Sequence, residues 1–129
     1  ADVPAIQVGD QISTSGQLPL VSGSLPMTGL VGDQISQGDA AGQARVAALN
    51  ALAAAADVAG GVNNIRRVVR VVVYVASTAD FTAQPAVANG ASELFGEIFG
   101  DAGRHIRSAI GVASLPLGAP VKVELTVQV

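Results

Sequence analysis

The chain has no cysteine and no tryptophan, with one histidine and one tyrosine, and each shortage removes a class of chemistry. Without cysteine there is no disulfide frame, no thiolate nucleophile and no Cys-based zinc or iron–sulfur site. The lone histidine, His105, does not make an all-protein zinc site and leaves no two-histidine ribonuclease mechanism within one chain. Charged residues are 13%, aromatics 3% and the net charge is −3. That gives neither a basic footprint nor stacking platforms, so nucleic acid is not an expected partner. No run reaches the roughly 18 strongly apolar residues of a spanning helix. The richest stretch, Ala47 to Ala59, is alanine broken by Asn50 and Asp57 and reads as a helix of a water-soluble domain; no membrane association is expected. No targeting segment is visible from Ala1 onward, and a cytoplasmic setting is expected.

What is present is an apolar excess. Half of the 129 residues are hydrophobic. The length fits one domain spanning 1–129 with a genuine core. So few charges leave too little polar surface for a small monomer, which points to self-association.

The segment from Ile6 to Ser15 suits a strand entered from a Gly9-Asp10 turn, and Leu20 to Gln37, rich in Gly, Ser and Pro, reads as a long surface excursion. Asp39 is expected to cap a helix from about Ala40 to Ala59. Its apolar stripe would be Val46, Leu49, Leu52, Ala53 and Ala56, and Gly60-Gly61 its stop. Val68 to Val75 is almost continuously β-branched, as in a strand covered on both faces, with Arg70 and Tyr74 as polar breaks. A second helix is predicted over Ala86 to Phe99, through Val87, Ala91, Leu94, Phe95 and Ile98. Strands are predicted at Ile106 to Val112 and Val121 to Val129. The order implies an α+β fold: a single mixed sheet with two helices on one face, the other face covered by further copies of the chain.

Strand alternation in Ile106 to Ala113 puts Arg107, Ala109, Gly111 and Ala113 on one side. A guanidinium above such small neighbours can grip a carboxylate through two parallel hydrogen bonds; pattern alone favours a solvated or structurally paired arginine. Glu124 falls on the polar side of the last strand, where solvent exposure or a cross-strand basic partner is the default. Ser15 lacks the Gly-x-Ser-x-Gly context of a hydrolase elbow. His105, between Arg104 and Arg107, reads as a helix-end or surface residue before a general base. Arg66, Arg67 and Arg70 read as a rim of structural cations.

Ser15-Gly16-Gln17-Leu18-Pro19, Asn89 in the second helix, then Arg107-Ser108, Leu115-Pro116 and Val121-Lys122-Val123-Glu124 together carry a resemblance. Over nearly its whole length the chain resembles the Rid/YjgF family of L-PSP-type imine/enamine deaminases. The Gly90-Ala91-Ser92 and Gly103-Arg104-His105 surroundings suit a divergent branch. The resemblance implies a chorismate-mutase-like (YjgF-like) fold in a homotrimer with clefts between subunits. It implies hydrolysis of small 2-imino or 2-enamino acids to 2-oxo acids and ammonia, with no cofactor and no metal. Arg107 would hold the substrate carboxylate, Ala109 would offer backbone contacts, Ser15 and Asn89 would line the cleft, and Glu124 would help to place the water. Two departures stand out: Ala109 occupies a position where many family deaminases have cysteine, and the family's amino-terminal aromatic has no counterpart before Gln7. The alternative function is a non-catalytic trimeric binder of small carboxylate metabolites such as 2-oxo acids. A ribonuclease or translation-inhibitor role ranks below both.

Overall fold

The computed structural model describes residues 2–129. Strands β1 (Ala5–Val8) and β2 (Gln11–Thr14) form a hairpin whose turn places Gly9 at φ 62°, so the single early strand expected from sequence is a pair. Helix α1 (Gln37–Ala59), strand β3 (Arg67–Ala76), helix α2 (Gln84–Phe99), strand β4 (Ile106–Val112) and strand β5 (Val121–Gln128) follow. The sheet order is β1-β2-β5-β3-β4, with β3 and β4 parallel and the other pairs antiparallel. It is one mixed sheet with both helices on one face, α1 over β2 and β5, α2 over β3 and β4.

Alternation fixes which side chains meet the helices. Val68, Val71, Val73 and Val75 of β3 and Val121, Val123, Leu125 and Val127 of β5 are fully buried with Phe95 and Ile12. On the opposite face lie Arg70, Val72 and Tyr74 of β3 and Lys122, Glu124 and Thr126 of β5. Among the described residues no helix covers this face, where Ile6, Ile106 and Ile110 stand exposed.

Helix α1 departs from its expected stripe. Its buried side is Ala40, Gln43, Ala44, Ala47, Ala48, Ala51, Leu52 and Ala55, while Leu49 and Ala53 face outward. Alanines rather than the larger side chains point inward because α1 lies hard against α2: a Cβ at Gly90 would come within 1.9 Å of the Ala41 carbonyl oxygen. Ile98 of α2 is likewise outside the core. The cap is Ser36, not Asp39; the Ser36 hydroxyl accepts from the Asp39 amide at 3.1 Å, and Asp39 sits in the first turn, where a negative charge suits the helix dipole. Ser36→Ala is expected to cost about 1 kcal/mol, read as a lower midpoint in urea with unchanged slope.

The Leu20 to Gln37 excursion is only partly superficial. Val31 and Ile35 are buried, and Val31 is stitched to the end of β3 through its amide to the Ala76 carbonyl and its carbonyl to the Thr78 amide. Asn50 of α1 donates to the Leu18 and Leu20 carbonyls, both at 3.0 Å, anchoring the Ser15–Pro19 segment to the helix layer.

Candidate functional site

Register decides what Arg107 can reach. It pairs with Val71, which lies under the helices, so its side chain rises on the helix side at the edge strand β4. There Nη1 donates to Asn89 Oδ1 at 2.8 Å and to Ser92 Oγ at 3.1 Å. Asn89 and Ser92 are three apart on α2 and therefore neighbours on one helix face. Neither partner is charged, and among the described residues Arg107 makes no salt bridge; the ion pairs are Arg45–Glu97 and Arg104–Asp101. The guanidinium is thus oriented and left with uncompensated charge. Ala109, next on the same face, is partly buried against the core.

Open space begins at the ends of β4. A groove of about 570 Å³ is lined by Ser92, Gly96, Gly103, Arg104, His105 and Arg107. Another of about 650 Å³ lies toward Gly111, bordered by Ser77, Thr78 and Gln84. A Cβ at Gly111 would lie 2.7 Å from Gln84 Nε2, so the Gln84 amide packs directly over this glycine.

His105 is neither free nor merely terminal. Its Nδ1 lies 2.6 Å from the Gly103 carbonyl oxygen and its Nε2 2.9 Å from Ser92 Oγ, with the Phe95 ring edge-on at 6.0 Å. A carbonyl only accepts, so the proton of the neutral ring sits on Nδ1 and Nε2 accepts from the Ser92 hydroxyl. An arginine only donates, so Ser92 Oγ accepts from Arg107 while its own proton points at His105. Neither Ser92 nor His105 is a site residue on the sequence alone. The signal was available in two spacings, Asn89 with Ser92 at i,i+3 on a helix and His105 with Arg107 at i,i+2 entering a strand.

The other sequence-derived residues lie elsewhere in the chain. Glu124 pairs with Val72, on the sheet face opposite Arg107, near Tyr74 and Arg70. Burial, and then the neighbouring Glu124 carboxylate, push the Tyr74 phenol above its usual range, with Arg70 opposing; Lys122 Nζ sits 5.5 Å from the Tyr74 ring centre. Ser15 follows β2, three strand spacings from β4, or about 14 Å across the sheet. Its hydroxyl accepts from Gln17 Nε2 at 3.1 Å. One chain therefore unites Arg107, Asn89 and Ala109 but not Glu124 or Ser15. Among the described residues no group of three acidic or histidine side chains is placed to hold a metal ion, and no helix is long and apolar enough to cross a membrane.

Residues 2–129 match the family described as "YjgF/chorismate mutase-like, putative endoribonuclease". The chain is 40% identical over 121 residues to Protein TCP17 of Trypanosoma cruzi, covering 93% of this chain and 76% of that protein. Among solved structures, a protein of unknown function from Agrobacterium tumefaciens superposes with a TM-score of 0.96 at 40% identity, over 99% of this chain and 82% of its own. The YjgF gene product of E. coli superposes with a TM-score of 0.70 at 26% identity, over 99% of this chain and 87% of its own. The paired site residues, the two-helix sheet and these matches agree, and the chain belongs to the YjgF/chorismate mutase-like family.

Proposed function

We propose that this protein is a cofactor-independent imine/enamine deaminase, hydrolysing small 2-imino or 2-enamino acids to 2-oxo acids and ammonia in clefts between the subunits of a homotrimer. The observation that carries the reading is Arg107: a guanidinium oriented by two neutral acceptors, Asn89 and Ser92, with no carboxylate partner among the described residues. A fixed, uncompensated cation beside a groove favours a small anion, and a planar fork favours a carboxylate.

The chemistry asks little beyond placement. An iminium carbon is already electrophilic, so holding the carboxylate and aligning water supplies most of the acceleration. Glu124 is the carboxylate suited to orient that water. Because it projects from the face opposite Arg107, it would serve the site of a neighbouring copy. The exposed Ile6, Ile106 and Ile110 on that face give such a copy apolar surface to cover. Ser15, two residues beyond Ser13, which pairs with Thr126 on the Glu124 face, would line the cleft.

The test is ammonia and 2-oxo-acid release from freshly generated 2-aminoacrylate and 2-iminobutanoate. Acceleration well above the spontaneous rate is expected. A second reading, a trimeric binder of 2-oxo acids, draws on the same geometry, since one chain holds the anion anchor without a carboxylate beside it. Saturable 2-oxo-acid binding with no acceleration would select it.

A further inference from the structure

The Gly103–His105–Ser92–Arg107 chain of hydrogen bonds is not needed to hold a carboxylate, and Asn89 alone would orient the guanidinium. It has a directed character. The carbonyl of Gly103 fixes one ring nitrogen as donor, Nε2 is left as the only basic atom, and Ser92 Oγ lies between that base and the cation that would carry the substrate. Gly103 is itself held in place, buried, with an added Cβ meeting the Phe95 carbonyl oxygen at 2.4 Å. The Phe95 ring bounds the imidazole on its edge. Ser92, His105 and Arg107 all open onto the groove of about 570 Å³.

We infer that Ser92 and His105 form a proton relay serving a ligand held by Arg107; this rests on the deaminase reading above. Water adds to the protonated imine carbon, forming the C–O bond as the C=N π pair moves to nitrogen. The proton shed by that water passes to Ser92 Oγ while the Ser92 proton passes to His105 Nε2. The resulting imidazolium has both N–H groups on acceptors, Gly103 O and Ser92 Oγ. The same path returns one proton to the carbinolamine nitrogen. The C–N bond then breaks and its electron pair leaves with ammonia. The hydroxyl proton is released to it as ammonium, and the carbonyl of the 2-oxo acid forms. The relay gains and gives one proton per turnover. The charged groups around His105 are Arg107 across Ser92, the adjoining Arg104 with Asp101 beside it, and Arg67, which donates to the Arg104 carbonyl at 3.0 Å.

The experiment compares wild type with His105→Asn, Ser92→Ala and Ser92→Thr on 2-iminobutanoate, measuring kcat and KM across pH, together with binding of 2-oxobutanoate. The shorter amide of His105→Asn keeps a donor toward Gly103 and removes the base. Its kcat is expected to fall about 10²-fold, the scale of one general acid–base contribution. KM and 2-oxobutanoate affinity should stay within a few-fold, and the acidic limb of the wild-type pH profile should vanish. Ser92→Ala should lose kcat to a similar extent and raise KM as well, because it also removes an acceptor that orients Arg107, and Ser92→Thr should recover most of both. An active wild type whose kcat and pH profile survive His105→Asn overturns the relay and leaves the deaminase reading intact. A folded wild type with no acceleration at all overturns both.

Discussion

Arg107→Ala is expected to lower kcat/KM for a 2-imino acid by about 10²- to 10³-fold, the range for removing one partner of a desolvated charge pair. The thermal midpoint should barely move. Its hydrogen-bond partners, Asn89 and Ser92, are exposed or only half-buried and can turn to water, so no polar group is stranded in the core. Arg107→Lys retains the charge but loses the planar fork that can grip a carboxylate through two parallel hydrogen bonds while Nη1 stays on Asn89. It should therefore recover only part of the rate. Steady-state kinetics beside thermal melts would check both points. A deficit confined to stability would mean that Arg107 is a packing residue.

Gly90→Ala is expected to destabilise the protein by about 3 kcal/mol, near or somewhat above the usual cost of overpacking. Helix propensity alone predicts the opposite sign, since alanine in a helix interior gains roughly 1 kcal/mol over glycine. Contact decides it: the new Cβ would lie 1.9 Å from the Ala41 carbonyl oxygen and 2.8 Å from its carbon, both backbone atoms that yield only if α1 and α2 separate. Gly96→Ala on the same helix is the control. Nothing lies within 4 Å of its added Cβ, so it should be neutral or slightly stabilising. Midpoints should be compared at one protein concentration, because association shifts them. Equal melting of the two variants would contradict the close helix packing.

Much of the fold is legible in the sequence. The β-branched run in β3 and the strict alternation of β5 are tertiary-independent signals, and the second helix shows its period through Val87, Ala91, Leu94 and Phe95. In the first helix the hydrophobic stripe gives the wrong phase, because its larger side chains do not all point inward. In α1 the inward side is set by how closely two backbones approach, so alanine is chosen and Leu49 is left outside. Asp39 looks like the cap in sequence because it stands nearer the start of the alanine run, whereas the helix begins one turn earlier, just after Ser36.

For the site, Arg107 with Asn89 and Ala109 emerged from strand alternation and family likeness, and the chain brings them together. The His105–Ser92 link did not emerge, because it depends on how the turn after α2 returns the chain to β4 and aims the Gly103 carbonyl. The two spacings place Ser92 beside Asn89 and His105 beside Arg107, but only the tertiary fold brings the two pairs together. Nor does any pattern show that Arg107 and Glu124 face opposite sides; it follows only once Val71 and Val72 are known to pair with strands on either flank.

That opposition makes the central claim testable with two inactive proteins. Arg107→Ala and Glu124→Gln chains, refolded together in equal amounts, would give mixed copies of the proposed trimer, in which a site built from neighbouring copies is intact when each copy supplies its surviving residue. Random mixing then restores about a quarter of wild-type sites. Activity rising to that level from two separately inactive samples is the predicted result. No recovery, in mixtures shown to exchange subunits, would contradict a site shared between copies.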